Sequence, residues 1–128
     1  MAKGIIVREA HFPGRAPIDA YGNGGFRFAD MSHRGSLLLL PSGIHGWALT
    51  EDDPLTVDSL AKVFADAAGI EVLLVGTGAG LRPIPAPVKD ALRAAGISSD
   101  PMGTGAAVRT YNIMLAEQRA VAAALIAV

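Results

Sequence analysis

Cysteine is absent from all 128 residues, which excludes disulfides, thiolate catalysis, iron-sulfur clusters and cysteine zinc sites. Aromatic residues are scarce at 5%, with Trp47 the single tryptophan. Neither sign of charge is in excess: Lys+Arg 11 face Asp+Glu 12, so there is no basic surplus to neutralise phosphates. Nucleic acid is therefore not an expected partner. Long hydrophobic runs are missing too. The longest unbroken apolar stretch, Ala120 to Val128, has nine residues, whereas a membrane-spanning helix needs about 20. Met1 to Arg8 is followed by no small-residue cleavage site, so no signal peptide is expected and a cytoplasmic location is.

What the chain does have suits one compact domain over residues 1–128. Hydrophobic residues make up 51%, enough to fill the core of a domain that buries roughly two thirds of its unfolded surface. Ile5 to Val7 are β-branched and read as a strand ending near Ala10, before Phe12-Pro13-Gly14 breaks the run. A glycine- and proline-rich connection then leads to a tight turn at Asn23-Gly24-Gly25. Gly25 to Asp30 alternates apolar and polar residues, as a strand with one wet face does. Leu37 to Leu40 does not alternate, which suits a strand covered on both sides, and Ile44 to Leu49 forms a fourth extended piece.

The second half changes character. Thr56 is placed to cap a helix whose inward positions Leu60, Val63, Phe64 and Ala67 run up to Gly69. Ile70 to Val75 reads as a buried parallel strand that empties into the glycine turn Gly76 to Gly80. A helix over about Ala86 to Ala95 follows, with Val88, Ala91 and Leu92 inward. Ile97 begins a short strand that Asp100-Pro101 is expected to interrupt. A last helical region is expected from about Gly105 to Ala127. Strands first, then alternating strand and helix, predict a layered α/β domain with a central mixed sheet.

Two segments carry candidate chemistry. Gly76-Thr77-Gly78-Ala79-Gly80-Leu81 follows a buried strand and resembles a dinucleotide fingerprint, but Leu81 occupies the third glycine position. Prolines 83, 85 and 87 also keep a helix from starting directly beneath the turn. The plainer reading is a sharp glycine exit from the sheet. Thr104 to Asn112 places Thr104 at an N-cap and sets Arg109 and Asn112 three apart on one helix face. If parallel topology brings that helix start beside the turn, Thr77, Gly78, Thr104, Arg109 and Asn112 converge on a carboxylate or phosphate, for which the planar arginine fork is suited. The architectural reading pairs Arg109 with Glu117 or Asp90 and has Asn112 satisfy loop carbonyls. Tyr111, Glu117 and Arg119 are read as a structural polar network; Glu117 and Arg119, two apart, meet only if the helix breaks near Glu117.

Other chemistry finds no pattern. His11, His33 and His45 are widely separated, so no metal site is expected. The serines lack a Gly-x-Ser-x-Gly frame, and Asp52 and Asp53 suit an acidic turn before a helix. No catalytic residue and no cofactor is expected.

Four segments together carry a family resemblance: Ile18 to Phe26, Gly35 to Pro41 with Trp47, Ile70 to Gly78, and Thr104 to Ile126. The most specific piece is Arg109-Thr110-Tyr111-Asn112-Ile113-Met114-Leu115-Ala116-Glu117. From about Ile5 to Ile126 the chain resembles a small bacterial and archaeal domain family of unknown function. That family also contains a mitochondrial respiratory complex I assembly factor and an adipogenesis-associated protein. The resemblance implies a three-layer α/β fold, no established catalytic residues, and a part in assembling membrane complexes through protein contacts. Members often carry cysteine where this chain has Val108, and an acidic residue where it has Gly103; valine as a replacement implies that the cysteine is small buried packing.

Three functions compete at this point. A non-enzymatic interaction or assembly domain predicts an apolar docking patch, with the Tyr21 to Phe28 region or Trp47 as candidates. A small-anion or metabolite-binding protein predicts a site between the Gly76 to Gly80 turn and the Thr104 to Asn112 helix start. A nucleotide-dependent oxidoreductase rests on the glycine turn alone and requires a helix N-terminus directly behind Gly78.

Overall fold

The computed structural model describes residues 11–128, so the strand expected over Ile5 to Val7 lies outside the described residues. The observed strands are β1 (His11–Phe12), β2 (Ala20–Gly22), β3 (Gly25–Phe28), β4 (Met31–Arg34), β5 (Ser36–Leu40), β6 (Gly43–Trp47), β7 (Val72–Gly76), β8 (Ser98–Met102) and β9 (Val121–Leu125). The α-helices are α1 (Ala61–Ala65), α2 (Ala86–Ala94) and α3 (Thr104–Ala116). Six strands form a central mixed sheet in the order β1-β6-β5-β9-β7-β8, and β2-β3-β4 form a separate three-stranded ribbon. β7 is parallel to both β8 and β9, while β9 meets β5 antiparallel.

Strand alternation sorts the core into two halves. Leu38, Leu40, Leu73, Val75, Ala122 and Ala124 face one side and pack on Leu60, Val63, Val88 and Leu92. Leu37, Leu39, Leu74, Val121, Ala123 and Leu125 face the other, against Ala107, Val108 and Tyr111 of α3 and Phe26 and Phe28 of the ribbon. The domain therefore has three layers, with α1 and α2 on one face and α3 with the ribbon on the other. The two crossovers explain that split. β7 to β8 moves outward through α2, and β8 to β9 moves back across β7 through α3. Right-handed connections running in opposite directions put their helices on opposite faces.

Four expectations need correction. The last helix does not reach Ala127: α3 stops at Ala116, Gln118 adopts φ 60°, and Val121–Leu125 is a fully buried strand between β5 and β7. Alanine's helix propensity misleads there, because the sheet selects small residues so that layers on both faces approach closely. The helix expected up to Gly69 is three short pieces, a 3-10 turn at Asp58–Leu60, then α1, then a 3-10 turn at Ala67–Gly69. Pro101 does not interrupt its strand, because β8 is an edge strand and needs no amide on its outer side. The region around Gly25 is a ribbon rather than one strand. Turns at Asn23-Gly24 and Ala29-Asp30, all four residues at positive φ, join β2 to β3 and β3 to β4.

Candidate functional site

Where β7 and β8 end, their connections leave toward opposite faces, which is where open α/β sheets usually hold a ligand. Here that crevice is closed by the protein's own groups. The Thr77 amide donates to the Met102 carbonyl at 2.8 Å, and the Thr104 amide donates to the Gly78 carbonyl at 2.8 Å. Thr104, with 0% exposure, accepts from the Gly78 amide at 3.0 Å and donates its hydroxyl to the Ile126 carbonyl at 2.7 Å. The Thr77 hydroxyl donates its single proton to the Gly80 carbonyl at 2.6 Å, with the Met102 carbonyl at 3.2 Å as the alternative acceptor, and accepts from the Arg82 amide at 3.1 Å. Glu51 completes the closure: its carboxylate accepts from the Ala79 amide at 2.8 Å and lies where a Cβ on Gly78 would be.

Thr77, Gly78 and Thr104 thus meet, and Arg109 and Asn112 do not join them. Arg109 lies about 140° around the helix from Thr104, exposed, and its guanidinium makes no hydrogen bond or ion pair among the described residues. Its expected carboxylate partners are engaged elsewhere, Asp90 with Arg93 at 3.4 Å and Glu117 with Arg119 at 3.7 Å. Asn112 is bonded twice to Ile18, accepting from its amide at 2.9 Å and donating to its carbonyl at 2.8 Å. Thr104 is the first residue of α3 rather than its cap; Gly103 takes the cap position with extended backbone and no capping side chain. The helix N-terminus behind Gly78 belongs to α3, and its first amide already serves the turn.

The Glu117–Arg119 pair forms because the helix ends at Ala116 and the left-handed Gln118 turns Arg119 back. Both partners are more than half exposed, so the pair contributes little to stability. Tyr111 shares no hydrogen bond with either among the described residues; it packs under the sheet beside Val108 and Ala107. Burial pushes its phenol up to about 12, an effect that nearby Arg15 partly offsets. Val108 is a buried core residue on α3. His33 and His45 hydrogen-bond to the Ser36 carbonyl and the Ser42 hydroxyl, and no cluster of three metal-ligating side chains occurs among the described residues.

A second feature is a half-open groove of about 760 Å³ between the ribbon and β6. Its lining includes the exposed Tyr21, Arg27 and Arg34; Phe26 and Trp47 also border it but are buried in the core. The indole NH of Trp47 donates to the Ser59 carbonyl at 2.8 Å, which fixes the ring. The Tyr21 ring lies over Gly105 so closely that a Cβ there would overlap its hydroxyl, yet Tyr21 remains 42% exposed. The sequence marks the Tyr21 to Phe28 region or Trp47 as the patch, a range that takes in Arg27 but not Arg34. Glu51 also escapes notice, because its contact is 28 residues away in sequence and no local pattern encodes it.

Comparison with known proteins agrees with this architecture. Residues 18–126 match the family described as protein of unknown function (DUF498/DUF598). An uncharacterised protein of Rhodobacter capsulatus is 40% identical over 122 residues, covering 95% of this chain and 93% of its own length. The mouse NADH dehydrogenase [ubiquinone] 1 alpha subcomplex assembly factor 3 is 30% identical over 122 residues, covering 95% of this chain and 66% of its own. The chain therefore spans just under two thirds of that animal relative. A crystal structure from Bartonella henselae, described as an outer membrane protein, superposes with a TM-score of 0.88 at 57% identity, covering 91% of this chain and 98% of that one. Among the described residues no helix is long and apolar enough to cross a membrane.

Proposed function

The chain belongs to the DUF498/DUF598 family of unknown function, and on that premise we propose that it is a non-enzymatic interaction domain that assists the assembly of a membrane or respiratory complex. The groove between ribbon and β6 carries this reading. Tyr21, 42% exposed, and the exposed Arg27 and Arg34 border this open surface, and both tyrosine and arginine are favoured at protein interfaces. The closed crevice supports it as well. At the place where this type of sheet would hold a substrate, Thr77 bonds Gly80, Met102 and Arg82, Thr104 bonds Gly78 and Ile126, and Glu51 takes the Ala79 amide. The name of the mouse relative supplies the kind of client, assembly of NADH dehydrogenase. Protein, rather than nucleic acid, is the partner this reading requires, and the cytoplasm is its expected location.

The test is genetic and biochemical. Deletion of the gene in the native host should lower the amount of assembled respiratory complex on native gels, with recovery on re-expression of the chain. Unchanged assembly after deletion, or substrate turnover by the purified protein, sinks this reading. A small-anion site at the glycine turn is the second reading. It is favoured only by the Glu51 carboxylate already held there, and it requires that carboxylate to leave. A ligand screen that raises thermal stability in Glu51→Ala but not in the parent chain supports it.

A further inference from the structure

The groove between the ribbon and β6 has a sign of charge that the whole chain lacks. The formal net charge is -1, yet the described groove lining includes Arg27 and Arg34 and no carboxylate. Strand register places both arginines on one face of the ribbon: Arg27 faces Ser32 across the β3–β4 ladder and Arg34 faces Gly25. The small partners leave the guanidinium groups uncovered. Neither guanidinium makes a hydrogen bond or ion pair among the described residues, whereas Arg93 and Arg119 are paired with carboxylates. Arg34 also borders a second hollow lined by Glu51 and Asp52, so Arg27 is the cleaner of the two cations.

We infer that this groove takes an acidic segment of a protein partner, its carboxylates on Arg27 and Arg34; this rests on the interaction reading above. The charge argues for the carboxylates, since a guanidinium fork pairs them bidentately. The half-open shape argues for a protein rather than a free metabolite, because a small ligand is normally enclosed over most of its surface.

The experiment is an amide NMR titration of the full chain with an acetylated, amidated eight-residue peptide of alternating glutamate and phenylalanine. A lysine-phenylalanine counterpart, inorganic phosphate and benzoate serve as comparison probes. Shifts should concentrate at Tyr21, Arg27, Arg34, Gly46 and Ala48, and binding should weaken at high salt. Arg27→Glu combined with Arg34→Glu should weaken binding of the acidic peptide at least tenfold with an unchanged melting temperature, and the lysine peptide should bind the parent chain at least tenfold less well. Phosphate or benzoate binding as tightly as the peptide overturns the protein assignment in favour of a small anion. Shifts elsewhere, equal binding by the double variant, no binding of any probe, or contacts from residues 1–10 that occupy the groove and are not displaced also overturn it. Lost peptide binding with an intact assembly defect on deletion would remove only the acidic-segment assignment. Peptide binding without an assembly defect would remove only the assembly role.

Discussion

Asn112 on α3 and Ile18 on the chain entering the ribbon are joined by two hydrogen bonds, the side-chain amide of one closing on the backbone amide and carbonyl of the other. The bond is the middle of three attachments. Arg15 donates to the Arg119 carbonyl at 3.4 Å, and Tyr21 sits on Gly105. Each step of three along the entering segment matches seven along α3 and the turn that ends it. Three extended residues and seven helical residues both span about 10 Å, so the two run side by side without slipping. Of the most specific family motif, Arg109 to Glu117, Asn112 supplies the middle attachment.

Asn112→Ala should therefore cost about 2 kcal/mol in urea unfolding, since it strips two bonds and leaves the part-buried Ile18 amide and carbonyl unpaired. Asn112→Asp should lose a similar amount. A carboxylate still accepts from the Ile18 amide but opposes its carbonyl. Equal midpoints for the parent and Asn112→Ala would show that the clasp contributes nothing.

Thr104 tests the closed crevice. Thr104→Val keeps the shape but removes both the bond accepted from Gly78 and the bond donated to Ile126, at an expected cost of about 2–3 kcal/mol. Thr104→Ser keeps the hydroxyl and should lose about 1 kcal/mol, the worth of one buried methyl. The ordering of the two denaturation midpoints is the check. A serine variant as weak as the valine variant would mean that packing, not hydrogen bonding, closes the crevice.

The outcome at Thr104 bears on what a sequence can reveal. Leu37 to Leu40 was legible as a doubly covered strand because burial on both faces erases alternation, and all four side chains are buried, alternating between the two core halves. The meeting of the glycine turn with Thr104 was legible because parallel topology stacks successive strand ends. Val121 to Leu125 was not legible as a strand. An alanine-rich run reads as helix until β5 and β7, from far away in sequence, claim its backbone. Arg109 shares the polar side of α3 that the sequence assigned it, but only tertiary placement shows that no carboxylate among the described residues reaches it. Glu51 is the same case reversed, a surface carboxylate by pattern and a closing group by contact.

Gly78 and Glu51 form a testable pair. Gly78 adopts φ 102°, and a Cβ there would overlap the Glu51 carboxylate. Gly78→Ala should destabilise by about 1–2 kcal/mol through backbone strain, with a further loss from the displaced carboxylate. Combined with Glu51→Ala, the overlap disappears but the strain persists, so the double variant should be less damaged than the sum of the two singles. Strict additivity in a double-mutant cycle would place the carboxylate away from the turn.

Ala123 lies with 0% exposure between Leu39 and Leu74, on the sheet face covered by α3. Ala123→Leu should force α3 outward and cost about 1–3 kcal/mol in the denaturation midpoint. A stabilised variant would reveal unfilled space beneath the helix.

Tyr111 gives the chain a dependence on alkaline pH. Its phenol is raised from 10.0 to about 12 chiefly by burial, so the folded state holds the proton more tightly than the unfolded chain does. The associated stability is complete below pH 10 and is lost as pH rises from about 10 toward 12, because the unfolded chain ionises first. Two units correspond to about 3 kcal/mol. Tyr111→Phe cannot ionise, so urea unfolding of the parent chain should weaken more than that of the variant between pH 9 and about pH 11.5. Arg15→Ala should widen the difference, since Arg15 is the cation that favours the phenolate. Parallel decline of parent and Tyr111→Phe across that range would mean that other groups govern alkaline unfolding and that the phenol is not held neutral by its burial.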